Sequence, residues 1–352
     1  MCDFSEYGGA SDEWIAVQAG LPPAPTDLQV QERKTTTNKV REDLSVEAMK
    51  TMADKVIVRD WTVLTRDGST IEARSYRAKT AGDGKLPVYL YFHGGGFLFG
   101  TIASEDAACA RIAISTNVIV VNLNYRHTPE FTYPTAWNDV EDGFQWLHSN
   151  MDEIGGDAQK VVVGGVSAGG QLTASLTLAQ HLGNFGQDLP RIAGQVLIIP
   201  CLAHADCYEP LLKKLKDPSV SSYKENENAP VLPRSMIDLF LGLLKFESPD
   251  VNDLRLNPAN ASPGQVRGLP PTTFGIAGLD PLRDEGLLYA KQLTEAGVAT
   301  DVHIFRGVPH GFRRFGDKLS ESKHWDDVTD NGIKWALTNP TATREFVIRE
   351  KY

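Results

Sequence analysis

The chain has little cysteine, no long apolar run and no surplus of positive charge. Its cysteines, Cys2, Cys109, Cys201 and Cys207, follow neither the spacing of a zinc site nor that of a disulfide framework. Free thiols are therefore expected, even at the neighbouring Cys201 and Cys207. No stretch approaches the roughly 18 apolar residues of a membrane helix. The greasiest segment, Met236 to Leu244, is short and contains Asp238. Met1 to Gly20 carries acidic residues and no apolar signal core, so no secretory signal is expected and the cytoplasm is the expected compartment. A net charge of −10 argues against nucleic acid or an anionic membrane as partner. Internal repeats and low-complexity tracts are absent. What remains is an ordinary globular composition: 352 residues, 41% hydrophobic and 23% charged, enough for a substantial core in one large domain or two.

Strand-like runs occur at Val56–Leu64, Thr70–Tyr76, Val88–Phe92, Val118–Asn122, Val161–Val163, Val196–Ile199, Thr272–Ile276 and Val302–Phe305. The turn signal Arg66-Asp67-Gly68-Ser69 makes the first two an antiparallel pair. The later runs alternate with helical stretches at Ala103–Ser115, Pro134–His148, Gly169–Leu182, Asp284–Ala296 and Ser322–Leu337. This order predicts an eight-stranded, mostly parallel α/β sheet with helices on both faces. The first fifty residues differ. Ser11 is placed to cap a short helix through Trp14, Ile15 and Val17, stopped by Gly20 and the break Pro22-Pro23-Ala24-Pro25. From Thr26 to Lys50 apolar positions are too sparse for a core helix, so this segment is expected to lie over something else. Between Ile199 and Thr272 no strand is evident. One amphipathic stretch, Arg234–Phe246, suggests an inserted subdomain there.

Four fragments carry chemistry, in the order His93-Gly94-Gly95-Gly96, Gly165-Val166-Ser167-Ala168-Gly169, Asp280 and His310. Ser167 follows the apolar run Val161–Val163 and opens a helical stretch, which makes a strand, a sharp turn and a helix. Gly165, Ala168 and Gly169 keep that turn free of bulk, and the helix N-terminus favours developing negative charge beside the hydroxyl. A phosphate-binding loop would end in Gly-Lys-Ser/Thr, which is missing. Consecutive glycines after Val88–Phe92 allow backbone amides to face a substrate. Gly94 and Gly95, with Ala168, are the expected donors to an oxyanion. Among the histidines, His310 stands out because it follows the last strand between glycines, in Gly307-Val308-Pro309-His310-Gly311-Phe312. His148 and His181 fall in helices, and His303 in a strand. Asp280 ends another strand before Pro281, whereas Asp284 and Glu285 read as first-turn acids of the next helix. The order Ser, Asp, His is that of α/β-hydrolases.

On these motifs the chain resembles the hormone-sensitive-lipase-like family of α/β-hydrolase carboxylesterases, over residues about 85 to 315. His93–Phe97 resembles the family's oxyanion motif. Tyr125-Arg126 and Pro129-Glu130, with Pro134 and Asp139, resemble its tyrosine-arginine-x-x-proline-glutamate segment, in which Glu130 and Asp139 read as structural. Gly165–Gly170 is similar to its nucleophile elbow. The resemblance implies a Ser167, Asp280, His310 triad and a helical cap made of residues 1–50 and 201–265, over a core of 51–200 and 266–352. Three departures stand out: Val166 where the family commonly has an acid, His127-Thr128 in place of a leucine-alanine pair, and the bulky Trp137.

The expected function is serine carboxylesterase action on short- to medium-chain esters through an acyl-enzyme, with no metal or organic cofactor. Phe97, Phe99, Phe240 and Leu241 are candidate pocket walls. The expected partner is a small-molecule ester or lactone, and a homodimer is left open. Alternatives are lactonase, deacetylase, acyl-transfer, lyase or cyclase chemistry on a natural-product intermediate, or a non-catalytic ligand-binding relative.

Overall fold

The computed structural model describes residues 1–22 and 28–351. Nine strands, β1 (Val56–Leu64), β2 (Thr70–Ala78), β3 (Leu86–Phe92), β4 (Ile119–Leu123), β5 (Gly156–Val166), β6 (Gly194–Ile198), β7 (Thr272–Leu279), β8 (Thr300–Pro309) and β9 (Ile348–Arg349), form one sheet. Their order is β1-β2-β4-β3-β5-β6-β7-β8-β9. β1 pairs antiparallel with β2 and β2 with β4; every other pairing is parallel. The eight expected strands are all present. The ninth is a two-residue addition to the β8 edge, too short to give a periodic signal.

Side-chain alternation distributes the sheet between two cores. Val88, Leu90 and Phe92 of β3 pack with Phe144 and Leu147 of helix Thr135–Ser149 and Leu172 and Leu176 of helix Ala168–His181. Tyr89 and Tyr91 face the other way, toward Cys109 and Ile112 of helix Asp106–Thr116 and Trp325 and Val328 of helix Glu321–Ala336. Helix Arg283–Glu295 covers β7 and β8 through Leu287, Leu288 and Leu293. Cys2, Cys109, Cys201 and Cys207 are free thiols. Among the described residues no helix is long and apolar enough to cross a membrane.

Ser11 caps helix Asp12–Ala19, its hydroxyl accepting from Trp14 N, and Gly20 ends it. The break expected at 22–25 lies, beyond Pro22, outside the described residues. Residues Val30–Met49 form a 20-residue helix that the sparse apolar pattern did not mark. Its inward stripe is polar. Lys34 donates to Thr128 O, Asn38 accepts from Gly100 N, Glu42 accepts from Thr101 Oγ1, and Ser45 accepts from Ala107 N. Val40, Leu44 and Val46 point outward, more than half exposed. The stretch between Ile199 and Thr272 holds short helices and no named strand. Leu202, Leu211, Ala259 and Val266 within it are buried in the core, while helix Arg234–Leu243 carries Phe240 toward the β3 loop.

Candidate active site

His93, Ser167, Asp280 and His310 are each the first residue after a strand, β3, β5, β7 and β8 respectively. Parallel pairing sets those ends side by side: Phe92 lies opposite Gly165, and Leu279 opposite Pro309. Groups far apart in sequence therefore meet at one rim of the sheet, the rim where open α/β sheets bind ligands.

Ser167 has φ +56° and ψ −117°, a strained turn between β5 and the helix that Ala168 begins. The strain is held from outside. Ser167 N donates to Ile198 O and Cys201 N to Ser167 O. A Cβ on Gly169 would lie 2.0 Å from Phe92 O, and one on Gly165 would lie 2.4 Å from Gly169 C, so both glycines are required by close backbone approach. A Cβ on Gly94 would stand 3.3 Å from Ser167 Cβ, which puts the glycine loop directly against the serine.

His310 Nε2 lies 2.9 Å from Ser167 Oγ, and His310 Nδ1 lies 2.7 Å from Asp280 Oδ2. A carboxylate can only accept, so Nδ1 carries the ring proton and Nε2 presents a lone pair to the serine hydroxyl. The other oxygen of Asp280 accepts from Leu282 N at 2.9 Å, which fixes the carboxylate plane. Asp280 and His310 are both buried. Asp284 and Glu285 do open the next helix but are not solvent-facing dipole partners: both are buried. Asp284 accepts from Ser222 N and Arg283 Nε, and Glu285 from Leu202 N. Burial holds the Glu285 carboxyl well above the usual range, so it stays protonated where an exposed acid ionises.

Among the described residues the N–H groups of Gly94 and Gly95 donate to no backbone acceptor, and Ala168 is the first residue of its helix, where N–H groups have no intrahelical partner. Beneath this loop His93 is fully buried, stacked on Tyr125 at 4.5 Å, with its Nε2 3.3 Å from His127 Nε2. Burial lowers the His93 pKa to about 4 and pushes His127 well below 6.5, the latter also opposed by the facing His93 ring. His127 thus packs as a neutral partner of His93.

A profile of the α/β-hydrolase fold matches residues 89–314. The chain belongs to the α/β-hydrolase family. Carboxylesterase NlhH of Mycobacterium tuberculosis is 35% identical over 253 residues, covering 71% of this chain and 73% of that protein. An esterase of Pyrobaculum calidifontis superposes with a TM-score of 0.76 at 30% identity, covering 94% of this chain and 100% of the other. Vibralactone cyclase superposes with a TM-score of 0.84 at 26% identity, over 96% of this chain and 97% of that one. Within the α/β-hydrolases the chain sits in the hormone-sensitive-lipase-like carboxylesterase group and is an ester hydrolase.

The four apolar candidates separate in this hydrolase. Phe97 stacks on Trp137 at 4.8 Å inside the core, only 3% exposed, so the bulky Trp137 is a packing partner for the loop and Phe97 is not an open wall. Phe99 meets Phe240 edge-on at 5.7 Å, and the Phe240 ring lies over Gly96. Leu241 is half-buried between two cores. Asp139, fully buried, clamps Arg126 through both oxygens, and Glu130 pairs with Lys34. Sequence reasoning missed Arg41, which donates to Gly94 O and pairs with Glu105 at 2.6 Å. The available signal was the polar spacing Lys34, Asn38, Arg41, Ser45, one face of a helix.

Proposed function

We propose that this α/β-hydrolase is a serine carboxylesterase in which Ser167 is the nucleophile, His310 the general base and Asp280 the residue that orients it. The observation that carries the reading is the continuous hydrogen-bonded chain from Asp280 Oδ2 through both ring nitrogens of His310 to Ser167 Oγ, 2.7 and 2.9 Å. In the first step Oγ attacks the ester carbonyl carbon as His310 Nε2 takes the hydroxyl proton. The carbonyl oxygen becomes an oxyanion, received by the N–H groups of Gly94, Gly95 and Ala168. The tetrahedral species collapses as His310 returns that proton to the leaving alkoxide. A water molecule then repeats the sequence on the acyl-enzyme, releasing the acid and restoring Ser167. No step calls for a metal or organic cofactor.

Substrates in this reading are short- to medium-chain esters. Residues 1–50 and 201–265 act together as a cap, with Phe99 and Phe240 as apolar walls beside the glycine loop and Leu241 behind them. Cyclase or acyl-transfer chemistry on the same acyl-enzyme is the second reading, favoured by the likeness to vibralactone cyclase.

The test is a p-nitrophenyl ester series from acetate to dodecanoate with Ser167→Ala alongside. The variant is expected to lose a factor on the order of 10⁵ to 10⁶ in kcat, and parent-like turnover by it would reject the nucleophile. Product analysis with and without an acceptor alcohol separates transfer from hydrolysis.

A further inference from the structure

We propose that Arg41 is a positioning residue for the oxyanion hole: by gripping the Gly94 carbonyl from outside the loop, it aims and polarises the Gly95 N–H that faces the developing charge. The inference rests on the serine-esterase reading above and names a residue that reading does not use.

The Gly94 carbonyl and the Gly95 N–H are opposite ends of one planar peptide unit, so holding the oxygen fixes the direction of the N–H. The loop cannot do this alone. Gly94, Gly95 and Gly96 have no side chains to lock their torsions, and Gly95 sits at φ +140°, a region glycine enters readily. An unanchored glycine peptide there is free to rotate its N–H away from the serine. Gly94 O is instead held by three donors: Arg41 Nη1 and Nη2, each at 3.2 Å, and His93 Nδ1 at 3.1 Å. Donation from a charged group draws electron density toward that oxygen and leaves the N–H at the other end of the unit more positive.

The guanidinium is itself braced. Arg41 Nη2 meets Glu105 Oε1 at 2.6 Å; Glu105, only 6% exposed, also accepts from Ser104 Oγ at 3.0 Å and from Tyr91 Oη at 3.0 Å. Burial works to raise the Glu105 pKa, yet the Arg41 guanidinium and the Ser104 hydroxyl draw the carboxyl below its ordinary value, so the brace stays charged. The Gly94 carbonyl is thus tied to a buried carboxylate through an arginine of a helix from another part of the chain, Val30–Met49. That helix also holds the loop's far end through Asn38 and Gly100 N.

A purely structural role would predict something different from a positioning role. An ammonium is one nitrogen on a shorter side chain, so Arg41→Lys keeps the charge but loses the second grip on Gly94 O that Nη1 provides and the planar fork that fixes its direction. Arg41→Lys, Arg41→Gln and Glu105→Gln are compared with Lys34→Ala, which loosens the same helix at Thr128 and Glu130 without touching Gly94. With p-nitrophenyl butyrate, the Arg41 and Glu105 variants are expected to lower kcat by about ten- to a hundredfold, less than removal of a whole donor, with KM within about twofold. Affinity for a boronic-acid transition-state analogue should weaken by the same factor as kcat. Lys34→Ala should lower Tm while leaving the analogue's affinity as in the parent. An unchanged analogue affinity in both folded Arg41 variants, or an equal loss in Lys34→Ala, overturns the proposal. Stoichiometric labelling of Ser167 by a fluorophosphonate in each variant shows that the nucleophile is intact. Failure of that labelling in the parent would instead indict the esterase reading. Should Arg41→Gln not fold, Arg41→Lys and Glu105→Gln decide alone.

Discussion

At the scale of single residues, the two aspartates near His310 separate by what their oxygens touch. Asp280 spends one oxygen on His310 and the other on Leu282 N. Asp284, four residues on, spends its oxygens on Arg283 Nε and Ser222 N, while Ser222 Oγ in turn holds Pro281 O. Asp284 thus supports the loop that presents Asp280 and does not reach the ring. Asp280→Asn puts an amide N–H where His310 Nδ1–H donates, which disfavours the tautomer that leaves Nε2 free. A kcat loss of about 10⁴ with little change in Tm is expected. Asp284→Asn leaves the buried Arg283 guanidinium with Glu225 as its remaining carboxylate and is expected to cost about 1 to 3 kcal/mol of stability, with kcat of the folded enzyme within about tenfold of the parent. Paired calorimetry and p-nitrophenyl butyrate kinetics on the two variants check both halves. Equal kcat losses would leave the choice of acid unsupported.

At the scale of elements, the site depends on how closely β3 and β5 bring their ends to the helix that follows. Gly169→Ala would drive a methyl to 2.0 Å from Phe92 O and 2.6 Å from His93 O, both backbone atoms that cannot swing aside. Destabilisation of about 2 to 3 kcal/mol is expected, read as a drop in urea midpoint, together with lost turnover as the glycine loop shifts. Gly242→Ala, in helix Arg234–Leu243 with nothing within 4 Å of the added methyl, is expected to stabilise by about 0.5 to 1 kcal/mol. The same physics explains what could be read beforehand. Runs such as Val161–Val163 are legible because strands buried on both faces must be apolar, and the glycine clusters because close backbone approach excludes side chains. The polar start of β5, Gly156 to Lys160, escaped because it lies where the strand reaches solvent. Helix Val30–Met49 escaped for a stronger reason: it docks by hydrogen bonds and turns Val40 and Leu44 outward, the reverse of the apolar-inward rule. Arg41 was lost with it. Phe97 was misread because sequence places a ring beside a motif without saying which way it points.

At the scale of the whole molecule, buried titratable groups around the site set how stability depends on pH. His93 and His127 lie neutral beneath the glycine loop, with the His93 pKa lowered to about 4 and His127 pushed well below 6.5, chiefly by burial. Their unfolded counterparts charge near pH 6.5, so below that value the unfolded chain binds more protons than the folded one. Stability is therefore full above about pH 6.5 and falls as pH drops toward about 4, by up to about 1.4 kcal/mol per pH unit for each ring. Glu285 works in the opposite sense. Its carboxyl is held well above the usual 4.5 by burial, so from about that pH upward the unfolded chain releases a proton that the folded state keeps. Its contribution is complete below the ordinary carboxylate range and is lost as pH rises through the raised folded value. The parent should accordingly show a Tm maximum between an acid limb and an alkaline limb. His127→Leu, which also removes the facing partner of His93, should flatten the acid limb. Glu285→Gln keeps an acceptor for Leu202 N but removes the ionisation, and should flatten the alkaline limb while steepening the acid limb above about pH 4.5, where the carboxyl had opposed the two rings. Tm measured from pH 4 to 9 for the three proteins resolves the two contributions. A Glu285→Gln profile parallel to the parent's above pH 6 would show that this carboxyl has no part in the alkaline decline, and that the growing negative charge of the whole chain drives it instead.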